Sequence, residues 1–133
     1  KNYMESLKFF NKSIEINPEK NTSYIGRGTV KSFLGDYRGA LIDMDKSISY
    51  DSKNSNNYYM RWIVHQQLKQ DKNAIVDFSR MIELGHPILN LGYYYRGVSK
   101  YRLGDIDSAC LDWSKAGELG NENAYDAIRK KCN

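Results

Sequence analysis

The sequence predicts an all-α fold of antiparallel helix pairs stacked one after another, an α-solenoid. Two observations carry this. A unit of helix end, tight turn and second helix recurs along the chain. Leu34-Gly35-Asp36 leads into a helix that carries Ile42, Asp43 and Ser47 and whose apolar face is Tyr37, Ala40, Leu41, Met44 and Ile48. Adding 34 to these numbers gives Leu68, Ala74, Ile75, Asp77 and Phe78, and adding 35 more gives Leu103-Gly104-Asp105, Ala109, Leu111, Asp112 and Trp113. Subtracting 34 gives Tyr3, Ser6, Phe10 and Ser13. The second observation is the period itself, since a two-helix unit of this length buries its apolar face only by stacking on its neighbours.

Composition bounds the reading. The chain has 133 residues, of which 41% are hydrophobic and 27% charged, the balance of an ordinary folded domain. No apolar run approaches the roughly 18 residues of a membrane span, so no membrane partner is expected. Net charge is +4, but acids and bases interleave along every predicted helix, the pattern of a solvated surface rather than a nucleic-acid footprint. The chain opens at Lys1 inside a repeat, so residues 1–16 are read as the second helix of a pair whose first helix is missing. The expectation is a piece of a longer array.

Taken in order, Tyr3 to Ile16 is that unpaired helix, with Tyr3, Ser6, Leu7, Phe10, Ser13 and Ile14 on one face. Asn17-Pro18 ends it, because proline lacks the amide donor and restrains the residue before it. Asn21-Thr22-Ser23 offers caps for a helix over 22–34, and its partner runs over 37–50. The polar turn at 51–56 leads to helices over 57–68 and 73–84. Gly85-His86-Pro87 breaks the chain again, and the next pair is 89–103 and 106–119. A last helix over 122–132 carries Glu122, Asn123, Asp126, Arg129, Lys130 and Lys131, polar enough to close a solenoid end against water. The array divides as a truncated repeat at 1–20, full repeats at 21–54, 55–88 and 89–121, and a capping helix at 122–133.

The residues of this pattern are similar to the tetratricopeptide repeat. They are Tyr24…Arg27-Gly28…Ala40…Met44…Ser52, then Tyr58…Arg61-Trp62…Ala74…Phe78…His86, then Tyr93…Arg96-Gly97…Ala109…Trp113…Asn121, after an opening Ser6…Phe10…Pro18. The stretch from Ala109 to Gly120 also resembles the related Sel1-like repeat. The resemblance implies a right-handed superhelix with a C-terminal capping helix and a function in protein–protein interaction. Trp62 departs from the pattern by replacing a glycine, and Met81 by replacing a small residue. Either the two helices splay there or Trp62 enters a neighbouring groove.

The resemblance also implies a concave groove lined by the first helix of each pair. On this chain those positions are Thr22, Ile25, Thr29 and Phe33, then Asn56, Tyr59, Met60, Ile63 and Gln67, then Leu91, Tyr94, Tyr95, Val98, Tyr101 and Arg102. Tyrosines, amides and one arginine make a surface that grips a peptide through apolar contacts. Relatives that hold acidic chaperone tails use lysines and asparagines on this face. Ile25, Thr29, Tyr59, Ile63, Leu91 and Tyr95 are not such a carboxylate clamp, so that partner is not expected.

Where the family usually has leucine this chain has Arg27, Arg61 and Arg96, each followed 16 residues later by Asp43, Asp77 and Asp112. Counted from the turn between the helices, each pair lies at one height. Three ion pairs are expected, each tying the two helices of a repeat; the alternative is that the arginines reach a ligand carboxylate.

Little points to catalysis. Cys110 and Cys132 have no CxxC spacing and no nearby histidine, so no metal site is expected. They lie level on either side of the turn at Gly120 and are open to two readings, buried thiols or a disulfide clamping the last helix. The compartment follows them: cytoplasmic by default, extracytoplasmic if they are paired. His65 stands where Lys31 and Lys100 stand in sister repeats and reads as a packing or solvated histidine. No cofactor loop and no Ser-His-Asp pattern is present, so the protein is not read as an enzyme. Two rivals to peptide binding remain. One is a spacer or self-association module working through Tyr3, Leu7 and Phe10 of an exposed N-terminal helix. The other, less favoured, is an RNA-binding helical repeat.

Overall fold

A computed structural model of the protein describes residues 2–133. Among them are eight helices and no strand: α1 (Tyr3–Ile16), α2 (Asn21–Phe33), α3 (Tyr37–Tyr50), α4 (Ser55–Gln67), α5 (Asp71–Glu83), α6 (Leu89–Arg102), α7 (Ile106–Glu118) and α8 (Glu122–Lys131). They fall into two compact units, Lys1–Val64 and His65–Asn133, with the boundary inside α4.

In the first unit the core is Ala40, Met44 and Val64, with Ile25, Tyr37, Leu41 and Met60 packed around it. The α2–α3 crossing is close because Gly28 sits on the Ala40 carbonyl, where an added Cβ would lie 3.0 Å from the oxygen. The turn between these helices uses Gly35 at φ +84°, followed by Asp36, whose carboxylate accepts from the Gly39 amide at 2.9 Å and caps α3. Two tyrosines at matched positions tie each first helix to the loop before it. Tyr24 donates to the Pro18 carbonyl at 2.7 Å and Tyr58 to that of Ser52 at 2.9 Å. Trp62 is buried and stacks on Tyr59 with 5.8 Å between ring centroids. Helix α4 begins two residues before its expected start, because the Asn54 side chain accepts from the Asn56 amide and turns the chain early.

The second unit is built on Ala109, Trp113, Ala116, Ala124 and Ala127, contributed by α7 and α8. Phe78 is fully buried and meets Tyr93 edge-on at 5.3 Å. Helix α5 also starts early, at Asp71 rather than Asn73. Lys69 adopts φ 53° and so performs the reversal that Gly35 and Gly104 perform in the sister turns. Of the two readings of the cysteines, the disulfide is present: Cys110 and Cys132 are bonded, with their Cα atoms 6.0 Å apart, tying the end of α8 to α7.

Candidate functional site

Burial of a carboxylate demands partners, and the repeats supply them. Asp43, only 2% exposed, accepts from Arg27 Nε at 2.9 Å and Nη2 at 2.8 Å, and Lys31 Nζ lies 2.9 Å from its other face. Asp112 is held the same way, by Arg96 Nε at 2.8 Å, Arg96 Nη2 at 2.7 Å and Lys100 Nζ at 2.9 Å. The third nitrogen of each guanidinium reaches back to the preceding second helix, Arg27 to Asn11 Oδ1 at 2.9 Å and Arg96 to Ser79 Oγ at 3.0 Å. The hydrogen bond to Asp43 raises the Arg27 pKa above its ordinary value. Arg61 and Asp77, the other expected partners, belong to different units. Within its own unit Arg61 donates to Asp45 Oδ1 at 2.8 Å. Within its own, Asp77 faces His65 Nε2 at 3.6 Å, so His65 approaches its aspartate as Lys31 and Lys100 approach theirs. The Nδ1 of that ring is 2.7 Å from Gln70 Oε1. Arg27 and Arg96 are thereby occupied in joining helices.

The first unit contains a cavity of about 340 Å³ walled by three helices. Helix α1 contributes Tyr3, Ser6 and Phe10, α2 contributes Ile25, Gly26, Thr29, Val30 and Phe33, and α4 contributes Asn56 and Met60. Gly26 lets the Phe10 ring lie against the α2 backbone, where a Cβ would displace it. Phe33 stacks on Tyr3 at 5.5 Å yet remains 63% exposed at the rim. The Thr29 hydroxyl donates to the Ile25 carbonyl at 2.8 Å, so its hydrogen is already used. The exposed Asn56 carboxamide has no protein partner among the described residues, although its backbone amide is bonded to Asn54. No charged side chain lines the cavity. Its size lies at the lower end of the range of binding pockets.

Of the expected groove residues, Ile25, Thr29, Phe33, Asn56 and Met60 come together at this cavity. Tyr59 and Ile63 are half-buried and do not line it. Tyr3, Ser6, Phe10 and Gly26 were not among the expected groove positions, although the 34-residue register already aligned the first three with Tyr37, Ala40 and Met44. The expectation for the N-terminal helix is also corrected. Tyr3, Leu7 and Phe10 are half-buried, and the exposed apolar residues of α1 are Met4, Phe9 and Ile16.

In the second unit the expected open tyrosine surface is largely filled. Tyr94, Val98 and Tyr101 pack against the α7–α8 cluster, Trp113 Nε1 donates to the Tyr94 carbonyl at 3.1 Å, and Lys131 Nζ lies 4.4 Å above the Tyr101 ring. The reason is that α8 packs there, so these side chains serve a helix–helix contact. Tyr95, Leu91 and Gln67 remain exposed. Arg102 is bound to Asp71, Nη2 to Oδ1 at 2.6 Å, and this hydrogen bond lowers the Asp71 pKa below its ordinary value. Among the described residues, no helix is long and apolar enough to cross a membrane, and no group of three or more His, Cys, Asp or Glu is placed to hold a metal ion.

Antiparallel helix pairs at a period of 34 or 35 residues, joined through buried aspartates and glycine turns, define a tandem helical-repeat protein. Comparison with known proteins finds relatives of the same repeat type. No family model matches the chain. It is 27% identical over 120 residues to a TPR repeat-containing protein of Methanocaldococcus jannaschii, an alignment covering 89% of this chain and 20% of that protein. It is 29% identical over 84 residues to tetratricopeptide repeat protein 36 of Danio rerio, covering 60% of this chain and 45% of the relative. The chain thus spans less than half the length of these curated relatives. Among solved structures, that of MamA superposes with a TM-score of 0.85 at 19% identity, over 95% of this chain and 74% of that one. The structure of YrrB, described as a TPR protein with an unusual peptide-binding site, gives 0.72 at 26% identity, over 84% of this chain and 57% of that one. In sequence and in fold the chain is similar to tetratricopeptide-repeat proteins.

Proposed function

We propose that the protein is a non-catalytic interaction module that holds an apolar segment of another protein in the cavity between α1, α2 and α4. The observation that carries this reading is a cavity walled by aromatic and aliphatic side chains, with one unpartnered carboxamide, Asn56, and no charge. An apolar anchor side chain entering it is desolvated against Phe10, Ile25 and Met60, and Asn56 offers a donor and an acceptor to a polar group beside the anchor. An acidic peptide tail finds no cation there, so chaperone tails are not the ligand, and neither RNA nor a membrane surface meets complementary chemistry in this cavity. The described peptide-binding site of YrrB supports the class of ligand.

The test is peptide selection from a random display library against the protein, repeated with Met60→Asp and Phe33→Asp after melting curves show that both fold. Selected peptides should share an aliphatic or aromatic anchor without enrichment in Asp or Glu. Binding to either variant should fall at least tenfold. Peptides that bind parent and variants alike would remove the cavity from consideration.

A further inference from the structure

In α1, α3 and α5 one register position is aliphatic: Leu7, Leu41 and Ile75. Leu41 packs against the cluster that holds Val64 of α4, the helix that follows α3. In α7 the same position is Cys110, and its partner is Cys132 at the end of α8, the helix that follows α7. A sulfur–sulfur bond thus stands where the first full repeat uses aliphatic packing to seat the next helix.

The rest of the α7–α8 contact is uneven. Its near end is fastened. The chain turns at Gly120, with φ +95°, and Asn121 is buried, its N–H donating to the Ala116 carbonyl at 2.9 Å and its carboxamide to the Asn90 carbonyl at 3.4 Å. Beyond that turn α8 buries only Ala124 and Ala127, with Ile128 half-buried and the Tyr125 ring laid on Gly117. Two alanine side chains remove little apolar area from water. Among the described residues the ion pairs of α8 are internal, Asp126 to Arg129 at 3.1 Å and to Lys130 at 3.0 Å. Glu122, Asn123, Arg129 and Lys130 are exposed, so the outer side of the helix is solvated. The far end is held by the bridge and by Lys131, whose Nζ lies 4.4 Å above the Tyr101 ring.

We infer that the Cys110–Cys132 bridge is a redox-operated latch: reduction by a dithiol frees the far end of α8, which swings about Gly120-Asn121 and uncovers the tyrosine face of α6. This concerns the second unit and stands apart from the cavity of the first. Both cysteines are half-buried, so a thiolate from solvent reaches the bridge. It attacks one sulfur, forms a mixed disulfide and expels the other cysteine as a thiolate. The second thiol of the reductant, as its thiolate, then attacks the mixed disulfide and expels the first cysteine. The dithiol is oxidised to its own disulfide, and its electron pair and protons end on Cys110 and Cys132 as thiols. The face released carries Tyr94, Val98 and Tyr101, which repeat the places of Ile25, Thr29 and Ser32 and pack against the cluster that Ala124 and Ala127 complete. The redox state therefore sets whether the second unit presents this face.

The test takes the oxidised protein without denaturant, before and after excess dithiothreitol, beside the double variant Cys110→Ser/Cys132→Ser. Free thiols are counted by alkylation and mass, and amide exchange is followed over 106–118 and 122–131. Hydroxyl-radical labelling of Tyr101 compares the oxidised parent with the double variant. Dithiothreitol should free both thiols in the folded protein and speed exchange over 122–131 at least tenfold, with little change over 106–118. Oxidised dithiothreitol should reverse this. The double variant should exchange fast with or without reductant, and its Tyr101 should label several times more than that of the parent. A bridge that yields only after denaturation overturns the inference, as do free thiols with unchanged exchange over 122–131. Equal labelling of Tyr101 also overturns it, because the face is then not covered by the latched helix. Uniform acceleration of both helices in the reduced parent, a result read even if the variant does not fold, means that the bridge holds the whole unit and no latch exists.

Discussion

Asp43 and Asp112 sit where an ionised carboxylate is most costly, and each is compensated by two guanidinium nitrogens and an ammonium within 3 Å. Removing the carboxylate leaves Arg27 and Lys31, both largely screened from solvent, facing each other with no counter-charge. Asp43→Ala should therefore destabilise the fold by about 3 kcal/mol, the lower end for breaking a buried pair. Urea unfolding of parent and variant checks it; coincident midpoints would show the pair to be energetically idle. Asp71 behaves differently because its partner Arg102 is more exposed. Its folded pKa is lowered, chiefly by the hydrogen bond from Arg102, so the native state binds its proton less readily than the unfolded chain. The stability it contributes is present above the ordinary value of 3.8 and is lost as pH falls through the folded pKa. Asp71→Asn should accordingly be less stable than the parent at neutral pH, with the two melting curves converging in acid below pH 3.8.

Among the elements, α8 is the one whose position depends on a covalent bond. Its buried residues are Ala124 and Ala127 alone, two small side chains, and its start has no side-chain cap. The Cys110–Cys132 bridge closes a loop with a sequence separation of 22 and holds the far end of the helix. A loop of that size restrains the unfolded chain by about 3 kcal/mol. Cys110→Ala with Cys132→Ala should lower stability by about that amount, and amide exchange over 122–131 should accelerate before that of α7. Uniform acceleration of both helices would mean that α8 docks without the clamp. Helix α1 contrasts with it: it has no buried residue at all, although its sequence stripe matches that of α3. Matching stripes thus give helices of equal length and unequal burial, because burial depends on which helix lies across from them.

At the scale of the whole molecule, the repeats make one surface legible from another. Five residues of the α2–α3 core, Tyr37, Ala40, Met44, Met60 and Val64, have their counterparts 34 residues earlier among the residues that line the cavity, and Phe9 stands where Asp43 stands one repeat later. Similarity to MamA and YrrB extends over 95% and 84% of the chain at low sequence identity, the pattern of a conformation held by repeat geometry more than by particular side chains.

The sequence by itself determined the all-α class, the period, the turns and the register, because these are local: apolar spacing defines a helical face, Gly35 and Gly104 reverse the chain, and Asn17-Pro18 stops a helix. It also placed Arg27 level with Asp43 and Arg96 with Asp112, since position along an antiparallel pair follows from counting. Which side of each first helix faces solvent was decided only in three dimensions. Tyr94, Val98 and Tyr101 repeat the places of Ile25, Thr29 and Ser32, yet they pack against a cluster completed by α8, whereas Ile25 and Thr29 border an open cavity. The early starts of α4 and α5 also lay beyond the pattern, because an Asn54 side-chain bond and a left-handed Lys69 set them. Periodicity records which residues share a face; only packing between distant segments decides what covers it.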